Sequence, residues 1–130
     1  MKKLNLSLSL LLAALSFYLT SSASGKEEPN EKAIQMSKEV KAVINNSCFG
    51  CHNTDSRNDD AKEDLDFKTW HELSTVKQLG ALKDIKEVLI KNEMPPQKFL
   101  EHKPDKALSD DQKELLVVWV KEQSKSLLNK

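Results

Sequence analysis

The only two cysteines of this chain stand three positions apart, and a histidine follows the second at once: Cys48-Phe49-Gly50-Cys51-His52. No other feature limits the fold as much. On a helical turn, residues three and four apart share a side, so both thiols and the imidazole project into the same space. A fold that carries them must open that turn onto something two sulfurs and a ring nitrogen can grip together. The rest of the chain offers a thin core. From Gly25 onward the aromatics are Phe49, Phe67, Trp70, Phe99 and Trp119, set among 38 charged residues in 106.

C-x-x-C-H is the attachment signal for covalently bound haem. The two thiols add across the two vinyl groups, and the following histidine, one turn from Cys48, places its imidazole beneath the iron. Gly50 leaves room for the porphyrin edge to approach the backbone. Three other readings compete. A Cys48–Cys51 disulfide is possible after export but would close a strained two-residue loop and staple little. A thioredoxin-like pair expects a strand before the motif, and here a helical pattern precedes it. A zinc site needs further ligands at recognisable spacing, and only the isolated His71 and His102 are on offer.

A haem held by one histidine needs a second axial group to close its coordination. Met94-Pro95-Pro96, 42 positions after His52, is the best candidate. A thioether is a soft, neutral ligand that favours reduced iron. The two prolines fix an extended backbone and keep Met94 out of a helix. His102 and His71 are the rivals; His102 lies in the charged run Glu101-His102-Lys103, where a histidine is usually solvated. His71 reads as a surface or packing residue, and Met36 as a gap-filling core methionine on the first helix.

The charges cancel, 20 Lys+Arg against 20 Asp+Glu, which argues against a nucleic-acid binder held by a basic surface. Residues 1–24 contain two charges, Lys2 and Lys3, and an apolar run from Leu4 to Leu19. The small residues Thr20-Ser21-Ser22-Ala23-Ser24-Gly25 follow, so the segment reads as a signal peptide cleaved after Ala23 or Ser24. The run is about 16 residues, short of the roughly 20 that a spanning helix needs. Membrane contact is expected only if the segment stays uncleaved. With no cysteine before Cys48, a lipoprotein attachment site is absent. The expected organisation is thus a signal peptide over 1–24 and one domain over 25–130, exported to the periplasm of a Gram-negative bacterium.

The exported part predicts an all-α domain. A first helix capped by Asn30 carries Ala33, Met36, Val40, Val43 and Ile44 and ends at Asn45-Asn46-Ser47. Asn53 to Asp64 reads as a loop. Short helices are expected around Phe67–Trp70 and Leu73–Leu79, with Gly80 as punctuation. A further helix over Leu82, Ile85, Val88 and Leu89 is stopped by Pro95-Pro96. Ser109-Asp110-Asp111-Gln112 is a capping box for the last helix, whose buried stripe is Leu115, Leu116, Trp119 and Val120, extending to Leu127. The first and last helices are expected to cross beside the haem.

In order, the Cys48–His52 motif, Leu65-Asp66-Phe67-Lys68-Thr69-Trp70, Ile85 to Val88, Glu93-Met94-Pro95-Pro96, Phe99 to Pro104, and Leu108 to Gln112 with Trp119 resemble the small haem-binding domain family of bacterial c-type cytochromes. The resemblance covers nearly all of residues 35–125. It implies one covalently attached haem c, a cytochrome c-like helical fold, an extracytoplasmic site and Met94 as second ligand. The chain departs from the family pattern just after His52. An aromatic- and Pro-rich stretch is replaced by the polar Asn53–Asp60, and no nearby proline offers the carbonyl that often orients the axial imidazole.

Two function classes follow. One is an electron carrier, not an enzyme: Cys48 and Cys51 tether, His52 and Met94 ligate, and redox proteins are its partners. The other is a haem sensor or peroxidase-like protein in which the sixth position is weakly held or open. Outside haem chemistry stands the zinc or disulfide module.

Overall fold

The computed structural model describes residues 34–129. The segment read as a signal peptide and the expected cap Asn30 lie outside them. The described chain is helical, with no strand among its residues: α1 (Lys38–Ser47), α2 (Asp59–Asp64), α3 (Thr75–Ile90), α4 (Gln97–Leu100) and α5 (Asp110–Leu128), with single 3-10 turns at Trp70–Glu72 and Pro104–Lys106. The all-α expectation holds, and several of its details change.

The first helix starts later than its apolar spacing suggests. Ser37, in extended conformation, caps α1 by accepting from the Val40 N–H through Oγ at 3.2 Å, the usual way a serine satisfies an orphan donor. Met36 therefore lies before the helix. It packs against the core from an extended segment, Ile34–Ser37. That segment is strapped to α5: the Trp119 Nε1–H donates to the Gln35 carbonyl at 2.7 Å, and the Gln35 N–H donates to Gln123 Oε1 at 3.2 Å.

Residues 59–64, expected as loop, form α2. Asn58 Oδ1 accepts from the Ala61 N–H at 3.0 Å, and Asp59 and Asp60 occupy the first turn, where carboxylates suit the positive end of the helix. No residue of α2 is buried, so apolar periodicity carried no trace of it.

Gly80 does not punctuate. α3 runs through it, because Gln78, Leu82 and Leu89 are buried on one side of a single helix and hold the turns on both sides of the glycine. Only Trp70–Glu72 of the expected helix near Trp70 forms, as a 3-10 turn, and Leu73 lies outside any helix. Nor does Pro95 stop α3. The helix ends at Ile90 in a Schellman turn: Asn92 is left-handed (φ 56°), its N–H reaches the Leu89 carbonyl at 3.2 Å, and the Glu93 N–H reaches the Val88 carbonyl at 2.9 Å. Met94 follows two residues after that left-handed position, and the Met94–Pro95 peptide is cis.

The core lies between α1, α3 and α5, built from Val40, Val43, Ile44, Leu82, Leu89, Leu116, Trp119 and Val120, with Trp70 from the connecting turn. α5 packs along α3 and also against α1. Its start is the expected capping box, in which Ser109 Oγ accepts from the Gln112 N–H and Gln112 Oε1 from the Ser109 N–H. Leu116, Trp119 and Val120 are fully buried, while Leu115 and Leu127 are half-buried against them. The last helix thus buries the expected face.

A candidate haem cleft between the Cys48–His52 turn and Met94

α1 delivers the cysteine motif. Its last turn closes with the Cys48 and Phe49 N–H groups both donating to the Ile44 carbonyl, at 2.9 and 2.8 Å. The chain then turns once more. The Cys48 carbonyl accepts from the N–H of Cys51 and of His52, each at 3.1 Å, which brings the side chains of positions 48, 51 and 52 to one side. A Cβ added at Gly50 would meet no heavy atom within 4 Å, so the backbone of the turn is open there.

Sequence reasoning offered no partner for the His52 ring, and the structure supplies one. His52 Nδ1 lies 2.7 Å from the Ala61 carbonyl and 3.2 Å from the Leu65 carbonyl, at the C-terminal side of α2. Two carbonyl acceptors require the proton on Nδ1, which leaves the Nε2 lone pair for a metal. The short helix after the motif does the orienting that a proline carbonyl does elsewhere, and Asn58 holds that helix through the N–H of the same residue 61. The signal was present as Asn58-Asp59-Asp60, a cap followed by acidic residues, but it names a helix start and not a partner for His52.

The segments on either side of α2 are fastened by polar contacts. Phe67 N–H donates to the His52 carbonyl at 3.2 Å, Thr54 Oγ1 to Asp66 Oδ2 at 2.6 Å, and the Lys68 ammonium pairs with Asp55. Buried Asn53 donates to the Phe49 carbonyl and accepts from the Asp55 N–H. Slight desolvation works against the Asp66 carboxylate, but hydrogen bonds from Thr54, Lys68 and Thr69 outweigh it and hold its pKa below the usual value.

Met94 forms the opposite wall. A cavity of about 130 Å³ is lined by Cys48, Cys51, His52, Asn58, Ala61, Met94, both prolines and Phe99. A second, of about 300 Å³, lies among His52, Asp64, Leu65, Ala81, Asp84, Ile85, Val88 and Met94. His52 and Met94 line both. All four residues expected at the site, Cys48, Cys51, His52 and Met94, thus meet at one cleft of small-molecule size. His71 and His102 line neither cavity; both are exposed, and His71 lies 3.9 Å from Glu72.

The chemistry of this donor set fits haem better than its rivals. Burial, helped by the neighbouring Cys51, pushes the Cys48 thiol up to about 11. Across the cleft stands the neutral Met94 thioether, a soft ligand that suits haem iron. Both cysteines are free, and among the described residues no three His, Cys, Asp or Glu side chains converge as a metal cage. Ala81, Ile85 and Val88 give the larger cavity an aliphatic wall on α3.

Comparison with known proteins adds one finding. The family model described as "Haem-binding domain" matches residues 55–122, just over half of the chain. The match contains Met94 and runs from the loop after His52 into α5; the Cys48–His52 motif immediately precedes it. No curated protein and no solved structure matches the chain.

Proposed function

This chain belongs to the haem-binding domain family, and on that premise we propose that it is an exported c-type cytochrome, a one-haem electron carrier and not a catalyst. The observation that carries the reading is that His52 and Met94 line both cavities of one cleft, with Cys48 and Cys51 at its edge. Haem bound here would supply one-electron chemistry.

The protein's own groups have distinct tasks. Cys48 and Cys51 are the tethers, thioethers once attached. His52 is held by Ala61 and Leu65 so that Nε2 is the free donor. Met94 offers a soft neutral sulfur, which favours the ferrous state and raises the reduction potential. His52 and Met94 would together hold the iron and leave no open position for a substrate, which suits a carrier. The basic start and apolar run of residues 1–24 support export to the periplasm.

The test is the absorption spectrum of protein matured with a haem-attachment system, read beside Met94→Ala. The parent is expected to be low-spin, with a thioether-to-iron charge-transfer band. Met94→Ala is expected to keep covalent haem, lose that band, fall in potential and bind carbon monoxide or cyanide. A high-spin ferric parent favours the sensor or peroxidase-like reading. A Met94→Ala protein that keeps its spectrum and potential, while His102→Ala loses them, moves the ligand to His102.

A further inference from the structure

Of the four large hydrophobic residues exposed among the described residues, Val76, Ile90 and Leu128 are more than half exposed, at 79%, 61% and 70%. Val76 and Ile90 sit on α3 at heptad spacing with Lys83 between them, so the three share one face. That face lies about half a turn away from Ala81, Asp84, Ile85 and Val88, the side of α3 that lines the cleft. On α5, Lys121, Lys125 and Leu128 follow at i, i+4 and i+7 and likewise share a face.

A groove of about 430 Å³ lies between α3 and α5, and Lys83 is the member of that α3 face that lines it, with Val76 and Ile90 one heptad to either side. Leu128 supplies its exposed apolar surface over the buried Val120, and Lys83 and Lys86 from α3 stand across from Lys121 and Lys125 from α5. Lys83 has an exposed helix-surface partner, Glu87 at 3.6 Å, a contact worth little in water. Among the described residues, the other three lysines have no carboxylate within ion-pair distance. The chain as a whole is neutral, so this is a local concentration of positive charge around the exposed Leu128, on the flank turned away from the cleft.

We propose that this groove docks an acidic amphipathic helix of a partner protein. The concavity decides the shape of the occupant: a trough between two helices fits a third helix laid along it, aliphatic stripe inward, and fits a flat bilayer poorly. Charge decides its composition. Lysine stems cover apolar surface while their ammonium groups stay at the rim, so the partner helix carries Glu or Asp on both sides of its apolar stripe. Docking there leaves the cleft mouth free. The surface therefore holds the protein to its partner while haem remains accessible, and it does not depend on how the iron is ligated.

The test places a photoreactive phenylalanine analogue at Leu128, and separately at Val76, in the full-length haem-loaded protein in the cells that make it. The same analogue at Asp60 on α2 is the control. After irradiation, adducts are mapped by mass spectrometry. The expected result is one partner segment reached from both Leu128 and Val76 and not from Asp60, with apolar residues at i, i+3 or i+4, and i+7 flanked by acidic residues. The double variant Lys86→Glu with Lys121→Glu is expected to cut the yield at least tenfold with haem content and helix signal unchanged. Reversing an acidic residue of the partner segment to lysine should restore it. Lipid adducts, adducts to a second copy of this chain, a segment without that pattern, no adduct, or an unchanged yield in the double variant would each overturn the proposal.

Discussion

α1, α3 and α5 each bury three side chains, whereas α2 and α4 bury none. The first group makes the core, and the second lies along the cleft. The two regions are held by different forces. A Leu or Val taken fully out of water contributes about 1.5–3 kcal/mol, while an ordinary hydrogen bond nets about 0.5–1.5 kcal/mol. α2 rests on bonds of the second kind: Asn58 to the Ala61 N–H, His52 to the Ala61 and Leu65 carbonyls, Thr54 to Asp66. The bundle half can therefore stand on its own packing. The cleft half depends on a small number of directional contacts and, on the proposed function, on haem held there.

The largest test of this contrast replaces Cys48 and Cys51 by serine, which removes the proposed tethers at almost constant volume. Haem buried in the cleft would cover roughly 400 Å² of apolar surface, worth on the order of 10 kcal/mol as an upper figure, comparable to the whole net stability of a small domain. In the haem-free variant, hydrogen-exchange protection should persist in α3 and α5 and vanish from Asp59–Asp64 and Gln97–Leu100. Equal protection in both regions would show that the cleft half closes by itself.

Trp119→Ala attacks the other half. The indole is buried among the three core helices and ties α5 to the Gln35 carbonyl. Its loss should cost about 3–5 kcal/mol in urea unfolding, the usual range for truncating a buried aromatic. A change within error would remove Trp119 from the core.

Asn58→Ala probes the cleft half on a finer scale. Losing an N-cap costs about 1 kcal/mol, and here the capped turn also presents the carbonyl to His52. The haem-loaded variant should show that loss together with altered His52 ring resonances, and Asn58→Asp, which keeps the acceptor, should restore both. Unaltered ring resonances in Asn58→Ala would uncouple α2 from the histidine.

The smallest effect is expected at Gly80, an exposed position inside α3 where an added Cβ meets nothing within 4 Å. Gly80→Ala should raise stability by about 0.5–1 kcal/mol, through backbone entropy alone. Destabilisation on thermal melting would mean that α3 needs the glycine after all.

What could be read from sequence was whatever short-range chemistry fixes. The Cys48–His52 motif depends on one helical turn, and the Ser109–Gln112 capping box on four consecutive residues; both are local, and both stand in the structure as their spacing implies. The buried face of α5 was legible because its period matches the helix. Met94 was singled out because two prolines follow it, although the turn that delivers it is the Schellman closure at Asn92, a signal that a left-handed asparagine could have given.

Tertiary structure decided the rest. Gly80 stays helical because Gln78, Leu82 and Leu89 are buried on one side of the same helix, and that packing outweighs the roughly 1 kcal/mol cost of a glycine. α1 is capped by Ser37 while Gln35 bonds across to α5, a contact 84 positions away for Trp119 and 88 for Gln123. Most telling is His52. Its sequence position marks it as a ligand, but the proton on Nδ1 answers to carbonyls nine and thirteen residues later. Only the folded chain brings that donor and those acceptors together, because a hydrogen bond is set by distance and angle in space, and no pattern of residue types along the chain encodes either.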